Sequence, residues 1–409
     1  MITDLLLRYA EEVAPEDVRA VMRLSILDWA ACGIAGAAEG TFAAWAQAQR
    51  SAGPCLRFDG ALSSPAEAAL VNGTLSHALD YDDTHFAHIG HPSVVTVSAA
   101  VAVAQAEGAD MPAVIDAALA GAEASVAMGL YLGRGHYQIG LHQTATAGAF
   151  GACVTACRTL GLEAGQARHA LGLVATMASG LKAQFGTMGK PLNAGLAARA
   201  GVEAALWARA GTTGAPDGAE AYAALAHGAG EDVPFAWRMS SVSHKFHACC
   251  HGLHAALEAA AGADLRGAER IEVFTHPRWL SVCNQPDPQT GLGAKFSYRH
   301  VLAMAAHGRS TADIGAFTDA AACDPALVAF RDRVSVTGDD TLTEMQARVV
   351  VDGSVLTHDL AAPMPYARRK ERVLAKAQAL VGPRSDTLWQ ALEAGNLTAF
   401  ASALKPAEE

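Results

Sequence analysis

Small side chains dominate the first 240 residues of this 409-residue chain, and glycines interrupt its apolar runs. In residues 92–108, for example, Ser93 can cap a helix and Gly108 can end it. Similar apolar segments cover about 145–160, 163–178 and 192–210. Because small side chains let helices approach closely, the pattern predicts a compact helical bundle.

The pattern changes after about residue 265. Apolar and polar residues alternate near 270–275, 333–337 and 349–356, and Asp352-Gly353 suits the type I′ turn of a hairpin. We expect these strands to be antiparallel. A helical pattern returns from about 367. The sequence therefore predicts a mainly α fold, in which a large all-helical domain of residues 1–240 is rejoined by 367–409 and a smaller α+β domain covers 241–366.

Charge and composition narrow the classes of partner. The formal net charge is −11, which argues against nucleic acid or an anionic membrane surface as the main partner. No basic leader precedes the first apolar residues, and no run of about 18 uncharged apolar residues is present, so we expect a cytoplasmic protein without a membrane span. The eight cysteines include no CxxC pair, which indicates reduced thiols.

Residues 77–91 are the densest group of titratable side chains, with four histidines and three aspartates in a chain that is only 17% charged. Such a group between two apolar segments indicates chemistry. If a helix covers 66–84, His77, Asp80 and Thr84 share one face and Asp82 points elsewhere. The alternative is that the aspartates bind loop backbone and the histidines are solvated.

Two further polar positions also precede apolar helical segments. His142 comes before the segment that begins at 143, as His91 comes before the one at 92, and Lys190 comes before Pro191 in the predicted first turn of another helix. Helix N-termini and an ammonium group both attract anions. These positions therefore predict a site for a carboxylate substrate.

Taken together, four motifs resemble the MmgE/PrpD family, which includes 2-methylcitrate dehydratase, cis-aconitate decarboxylase and iminodisuccinate epimerase. They follow in the family's order and span nearly the whole chain: HALDYDDT at 77–84 with His91-Pro92, GTMGKPLNAG at 186–195, KFHACC at 245–250 and AKFS at 294–297. The resemblance implies a mainly α fold with an α+β lid, a homodimer, a polycarboxylate substrate bound between the two domains, and catalysis without cofactor or metal.

The resemblance also implies site residues. The family's catalytic positions correspond to Asp80, Thr84, His91, His142 and Lys190. The family's lid lysine, which binds substrate, corresponds to Lys245 or to His244. His300 stands where the decarboxylase branch has a tyrosine, which argues against decarboxylation.

The reaction that these expectations favour is dehydration of 2-methylcitrate or a related hydroxy-polycarboxylate, with His91 and His142 as base and acid in an order that the sequence leaves open. Epimerisation and decarboxylation are the alternatives within the family. A metal-dependent hydrolase built on the 77–91 cluster is a remote alternative, since the usual zinc spacings are missing. A binding protein without catalytic activity is the other alternative outside the family's known reactions.

Overall fold

The computed structural model describes residues 1–406 and divides into two compact units. Unit 1 contains Met1–His244 together with the chain from Val373 onward, and unit 2 contains Lys245–Arg372. The sequence placed the corresponding junctions after residues 240 and 366. The predicted fold class, mainly α with a smaller α+β part, is confirmed.

Within residues 1–406, the secondary-structure elements of unit 1 are all helices apart from one short antiparallel pair, β1 (Cys55–Leu56) with β2 (Leu62–Ser63). Its helices before residue 244 are α1 (Ile2–Glu11), α2 (Glu16–Glu39), α3 (Ala43–Ala48), α4 (Pro65–His77), α5 (Pro92–Glu107), α6 (Met111–Gln138), α7 (Gln143–Thr159), α8 (Ala164–Val174), α9 (Gly189–Arg209) and α10 (Gly218–Leu225). Gly108 ends α5 in the left-handed conformation, as predicted. The predicted cap was wrong, because Pro92 occupies the first turn and His91 is the capping residue.

The close approach of helices that the small side chains predicted is clearest where α4 crosses α9. A methyl group at Gly195 of α9 would lie 2.2 Å from the Leu70 carbonyl oxygen and 2.2 Å from the Thr74 hydroxyl, which no side chain tolerates. Glycine at this position therefore lets two backbones touch. The contact fixes α9, which carries Lys190, against α4, which ends at His77.

Two helices of unit 1, α2 and α6, are long and apolar enough to cross a membrane by length and composition alone. Their most apolar windows are 78% and 83% buried inside the protein, as in the core helices of a globular domain. Arg23 and Asp28 interrupt α2, and Asp116 and Glu123 interrupt α6, so the sequence expectation of no uncharged span agrees with their composition.

Unit 2 is built on a four-stranded sheet with the order β4-β3-β5-β6. Its strands are β3 (Ile271–Thr275), β4 (Val334–Gly338), β5 (Gln346–Val351) and β6 (Ser354–Asp359), and its helices are α11 (His254–Ala259), α12 (Arg278–Val282), α13 (Gly291–Ala294), α14 (Tyr298–Ala306), α15 (Asp319–Ala322) and α16 (Pro325–Arg331). Positive φ angles at Asp352 and Gly353 confirm the predicted turn between β5 and β6.

The expectation that all strands are antiparallel was wrong for one pair. β3 and β4 are parallel. The chain between them contains five helices, which is long enough for the crossover that a parallel pair requires. After β6 the chain passes from unit 2 into unit 1 within α17 (Tyr366–Val381), and α18 (Arg384–Glu393) and α19 (Leu397–Leu404) follow, as the helical pattern after 367 predicted.

Candidate active site

The segment after α4 turns sharply, and the predicted helix over 66–84 was wrong in its second half. α4 ends at His77, Asp80 has a left-handed φ of 49°, and Thr84 pairs with Ser243 in an isolated antiparallel bridge. Aspartate tolerates the left-handed region and competes with helical backbone bonds, so three aspartates favour this departure from the helix. The turn directs Asp82 inward, against the expectation that it points elsewhere.

Three helix N-termini bring the predicted polar residues to the same place. His91 and His142 are the capping residues of α5 and α7, and neither ring bonds to its own helix backbone. Lys190 is the second residue of α9, and Pro191 follows in the first turn as predicted. The positive ends of these helix dipoles favour a bound anion and disfavour protonated imidazole.

An ion-paired chain leads from the surface into the protein. The Lys190 ammonium lies 2.7 Å from Asp80 Oδ1, and His91 Nε2 lies 3.4 Å from the same oxygen. The Asp80 side chain is 38% exposed and that of Lys190 16%, whereas His91 is buried. The structure thus brings together three of the predicted residues, with one carboxylate oxygen shared between an ammonium and an imidazole.

A second carboxylate lies on the other side of His91. Asp82 Oδ2 is 3.0 Å from His91 Nδ1, in an ion-pair contact rather than a well-aligned hydrogen bond, and Asp82 Oδ1 accepts a 2.8 Å hydrogen bond from His77 Nδ1. Burial by itself raises the pKa of Asp82, but His77 and His91 outweigh it and hold that pKa far below its usual range. The sequence reasoning missed Asp82 as a site residue because it assumed a continuous helix.

His142 completes the group from a separate helix. Its ring centroid lies 6.3 Å from that of His77 and 4.9 Å from the edge-on ring of Phe185. Its Nδ1 lies 3.3 Å from the side-chain nitrogen of Asn193. Burial, the ammonium of Lys190 and the neighbouring imidazoles hold the pKa of His142 well below its usual value, so the ring is neutral at pH 7.

Asn193 was also missed, although it lies in a quoted motif. It follows Lys190 by three residues on α9, and this spacing places both on one face of the helix. The same spacing could have identified it from the sequence. The sequence signal for Asp82 was weaker, because the direction of its side chain depends on the residue at which α4 ends.

Four residues of the group also have the chemistry of a metal site. His77, Asp80, Asp82 and His91 each offer a ligand atom, and these atoms lie within 4.8 Å of one another. Mixed imidazole and carboxylate sets suit zinc or iron. An ion here would compete with Lys190 for Asp80 and with both imidazoles for Asp82, so both carboxylates already have protein partners.

Comparison with known families identifies the family to which the motifs containing these residues belong. Residues 2–237 match the MmgE/PrpD N-terminal domain, and residues 247–390 match the MmgE/PrpD C-terminal domain. The chain belongs to the MmgE/PrpD family. The resemblance inferred from the sequence is thereby confirmed.

Curated members of the MmgE/PrpD family that resemble this chain are named as cis-aconitate decarboxylases. A cis-aconitate decarboxylase-like protein of Aspergillus oryzae is 28% identical over 357 residues, which cover 73% of this chain and 72% of the relative. The cis-aconitate decarboxylase of Aspergillus terreus is 28% identical over 336 residues, covering 72% and 69%. The human enzyme is 31% identical over 159 residues, covering 37% and 32%.

The remaining positions predicted from the MmgE/PrpD resemblance lie in varied surroundings. Thr84 exchanges backbone hydrogen bonds with Ser243, and its hydroxyl lies 3.4 Å from the Ser243 carbonyl oxygen. His244 is buried in unit 1, with Nε2 3.2 Å from the Ser25 hydroxyl. Lys245 is a buried residue of unit 2, so the two alternatives for the lid lysine fall in different units.

His300, which the sequence predicted to stand where the decarboxylase branch has a tyrosine, is fully buried inside unit 2. Its Nδ1 lies 2.8 Å from Arg331, whose guanidinium donates that hydrogen bond. Burial first, and then Arg331, lower the pKa of His300 to about 4. The ring is therefore held neutral by a partner within its own unit.

The alternative interpretation expected the histidines of the 77–91 cluster to be solvated, and for two of them this is wrong. His85 and His88 are buried, and burial lowers the pKa of His85 to about 4 and that of His88 to about 3. His85 Nε2 lies 3.0 Å from the Arg238 carbonyl oxygen. These rings are packed beneath the loop rather than exposed to solvent.

Proposed function

We propose that the protein is a hydro-lyase that removes water from 2-methylcitrate or a related hydroxy-polycarboxylate by acid and base catalysis. The observation that carries the proposal is the convergence of Lys190, Asp80 and His91 with His142 at three helix N-termini. Family membership supports the lyase class, and the finer choice of substrate and leaving group is ours.

The chemistry of such substrates matches the residues in the group. A C–H bond beside a carboxyl group becomes acidic enough for a histidine base only when the carboxylate charge is neutralised. Lys190 and the N-termini of α5, α7 and α9 supply that neutralisation. Thr84 is proposed to bind the departing hydroxyl group or a carboxylate. Lys245, His244 and His300 are proposed substrate-binding residues, of which His244 belongs to unit 1 and the other two to unit 2.

Decarboxylation is the second candidate, because the relatives reported above are named as cis-aconitate decarboxylases. We place it second because His300, whose Nδ1 is bonded to Arg331, is predicted to stand where the decarboxylase branch has a tyrosine. Epimerisation shares the first proton abstraction with dehydration and differs in expelling no leaving group. The four ligand atoms that His77, Asp80, Asp82 and His91 offer keep metal-dependent hydrolysis as a third candidate.

One experiment separates these candidates. The purified full chain is treated with EDTA and incubated with 2-methylcitrate, citrate, cis-aconitate and iminodisuccinate, while alkene absorbance, carbon dioxide release and chiral composition are followed. Alkene formation without metal supports the proposal. Carbon dioxide release would indicate a decarboxylase, and racemisation would indicate an epimerase. Activity only after addition of zinc or iron would favour the metal site. No reaction with any of the four compounds would reject the named substrates.

We further propose that the enzyme needs no cofactor and acts as a cytoplasmic homodimer, by analogy with the family. Light scattering coupled to size-exclusion chromatography tests the dimer directly. A monomeric mass at micromolar concentration with full activity would reject it.

A further inference from the structure

The side-chain amide of Asn193 determines which nitrogen of His142 carries the proton. Asn193 Nδ2 lies 3.3 Å from His142 Nδ1 and 3.3 Å from the Leu181 carbonyl oxygen. A carbonyl oxygen only accepts, so the amide must direct its NH₂ group toward Leu181. The second N–H of that group then points at His142 Nδ1, which must be an acceptor. In neutral His142 the proton therefore lies on Nε2.

The amide cannot turn over without loss. Leu141 and Leu181 form an antiparallel bridge. In it the backbone N–H of His142 donates to the Gly180 carbonyl oxygen at 2.9 Å, and the backbone N–H of Lys182 donates to the Gly140 carbonyl oxygen at 2.8 Å. These bonds fix the direction of the Leu181 carbonyl group. A flipped Asn193 would place its own oxygen against that of Leu181, and two buried acceptors repel each other.

Asp82 imposes the opposite arrangement on His91. A carboxylate oxygen 3.0 Å from Nδ1 would repel a lone pair there, so Nδ1 carries the proton. Asp80 Oδ1 competes weakly for a proton on Nε2, because it is 3.4 Å away and the Lys190 ammonium at 2.7 Å already neutralises it. With the proton on Nδ1, the lone pair of the neutral ring lies on Nε2.

We infer that His91 is the proton acceptor of the reaction and His142 the hydrogen-bond donor, with Asp82 and Asn193 as the positioning residues that fix these opposite tautomers. The inference rests on the proposed function for its chemical roles, but the tautomers themselves do not depend on it. It assigns proton transfer to His91 and hydrogen-bond donation to His142, where the motifs left the two roles open.

The assignment gives a balanced proton transfer. His91 Nε2 takes the proton from the carbon beside the carboxyl group, and the electron pair of that C–H bond moves toward the carboxyl group. The resulting imidazolium lies between Asp82 at Nδ1 and Asp80 at Nε2. His142 keeps its proton and donates a hydrogen bond from Nε2 to the oxygen that gains charge. In dehydration, the expelled hydroxide and the proton on His91 make up the released water.

The test observes the nitrogen atoms directly. Full-length protein labelled with [¹⁵N]histidine is examined at pH 8 by two-dimensional ¹H–¹⁵N spectra that distinguish protonated from bare ring nitrogens. The variants His91→Gln and His142→Gln assign the two rings. We expect a protonated Nδ1 in His91 and a protonated Nε2 in His142. The same tautomer in both rings, or a protonated Nδ1 in His142, would overturn the inference.

Asn193→Asp is the decisive variant, because a carboxylate at 193 only accepts. It should move the His142 proton from Nε2 to Nδ1 while the His91 signals stay unchanged. Where the proposed function holds, kcat should fall by roughly 10²-fold with a smaller change in KM. Asn193→Ala removes the constraint without reversing it, so both tautomers of His142 should appear. It serves as the control if the aspartate variant folds poorly.

Failure of the two ideas gives different results. The expected tautomers in a protein that turns over no polycarboxylate would leave the assignment intact and reject the proposed function. An active enzyme whose His142 proton stays on Nε2 in Asn193→Asp would reject the role of Asn193 and keep the function.

Discussion

Two groups of acidic and basic side chains lie on opposite sides of the segment 80–83. On one side, Asp80 and Asp82 contact Lys190 and two imidazoles. On the other, Lys376 pairs with Asp28 at 2.5 Å and donates a 2.6 Å hydrogen bond to the Tyr81 carbonyl oxygen, and Asp83 accepts a 2.6 Å bond from the Ser93 hydroxyl. Both groups lie in unit 1, and each contains a lysine paired with an aspartate.

Solvent access separates the two groups. The side chains of Asp80 and Lys190 are 38% and 16% exposed, whereas those of Asp28 and Lys376 are each 2% exposed. A ligand can therefore reach the first pair only. We infer that the second group, which we call the support network (Asp28, Asp83, Ser93 and Lys376), holds the turn that presents Asp80 and Asp82.

Electrostatics separates them as well. Two imidazoles keep Asp82 ionised, while burial dominates in the support network and raises the pKa of Asp28 to about 6 and that of Asp83 to about 7. The comparison shows that residue type alone does not identify an active site. What identifies the active site here is a carboxylate whose partners can give or take a proton and which lies next to a cation that solvent can reach.

Removing the cation of the support network should have the largest effect on stability. Lys376→Met leaves the buried carboxylate of Asp28 without its partner, and we expect a loss of about 3–5 kcal/mol in the free energy of unfolding. Chemical denaturation of the full chain measures it. The double variant Lys376→Met with Asp28→Leu should recover much of the loss, since no buried charge remains. Equal destabilisation in the single and double variants would contradict a support role based on charge.

Removing the partly exposed cation Lys190 should instead affect activity. Lys190→Met should lower kcat/KM by roughly 10²–10³-fold, because a group that neutralises developing charge is lost. Its pair with Asp80 is partly exposed, so the free energy of unfolding should change by less than about 1 kcal/mol. Arg199→Met is the matched control, since Arg199 is an exposed cation on the same helix that pairs with Glu203. Similar losses of activity in both variants would remove Lys190 from the site.

The sequence predicted much of this arrangement because it depends on local signals. Gly108 marks the end of α5, and Asp352-Gly353 marks the hairpin. Motif order placed Asp80, His91, His142 and Lys190 in one site, and the structure brings these residues together.

The failures arose where distant contacts decide the local structure. The aspartates after His77 favour an end to α4 but do not fix the residue at which it ends, so Asp82 was assigned to the wrong face. The parallel pairing of β3 with β4 depends on a crossover through five helices. Lys376 lies almost 300 positions after Tyr81, and no pattern in the sequence connects them.

The pH dependence of stability should also distinguish the two sides of the segment. The folded-state pKa of Asp83 is about 7, above the unfolded value near 3.9, so the folded state binds more protons between those values. Asp83 therefore reduces stability as the pH rises from about 4 to 7. In Asp83→Asn that contribution disappears, and the variant should gain stability relative to wild type at pH 8 but not at pH 4.

Buried histidines contribute with the opposite sign. The pKa of His85 is about 4 and that of His88 about 3, below the unfolded value near 6.5, so the unfolded state binds more protons and stability falls as the pH drops below about 6.5. Denaturation midpoints at pH 4, 6 and 8 test both contributions. A difference between Asp83→Asn and wild type that does not change with pH would contradict the raised pKa.

The smallest expected effect comes from a single hydroxyl group of the support network. Ser93→Ala removes the 2.6 Å hydrogen bond to Asp83 Oδ2, and we expect a loss of about 1–2 kcal/mol in the free energy of unfolding at pH 8, where Asp83 is ionised. That hydrogen bond lowers the pKa of Asp83, so its removal should raise the pKa further. At pH 5 the carboxyl group is protonated and the loss should shrink. Because Ser93 lies on the support side, kcat should stay near the wild-type value, and a large fall in kcat with unchanged stability would show that the two sides are not separate in function.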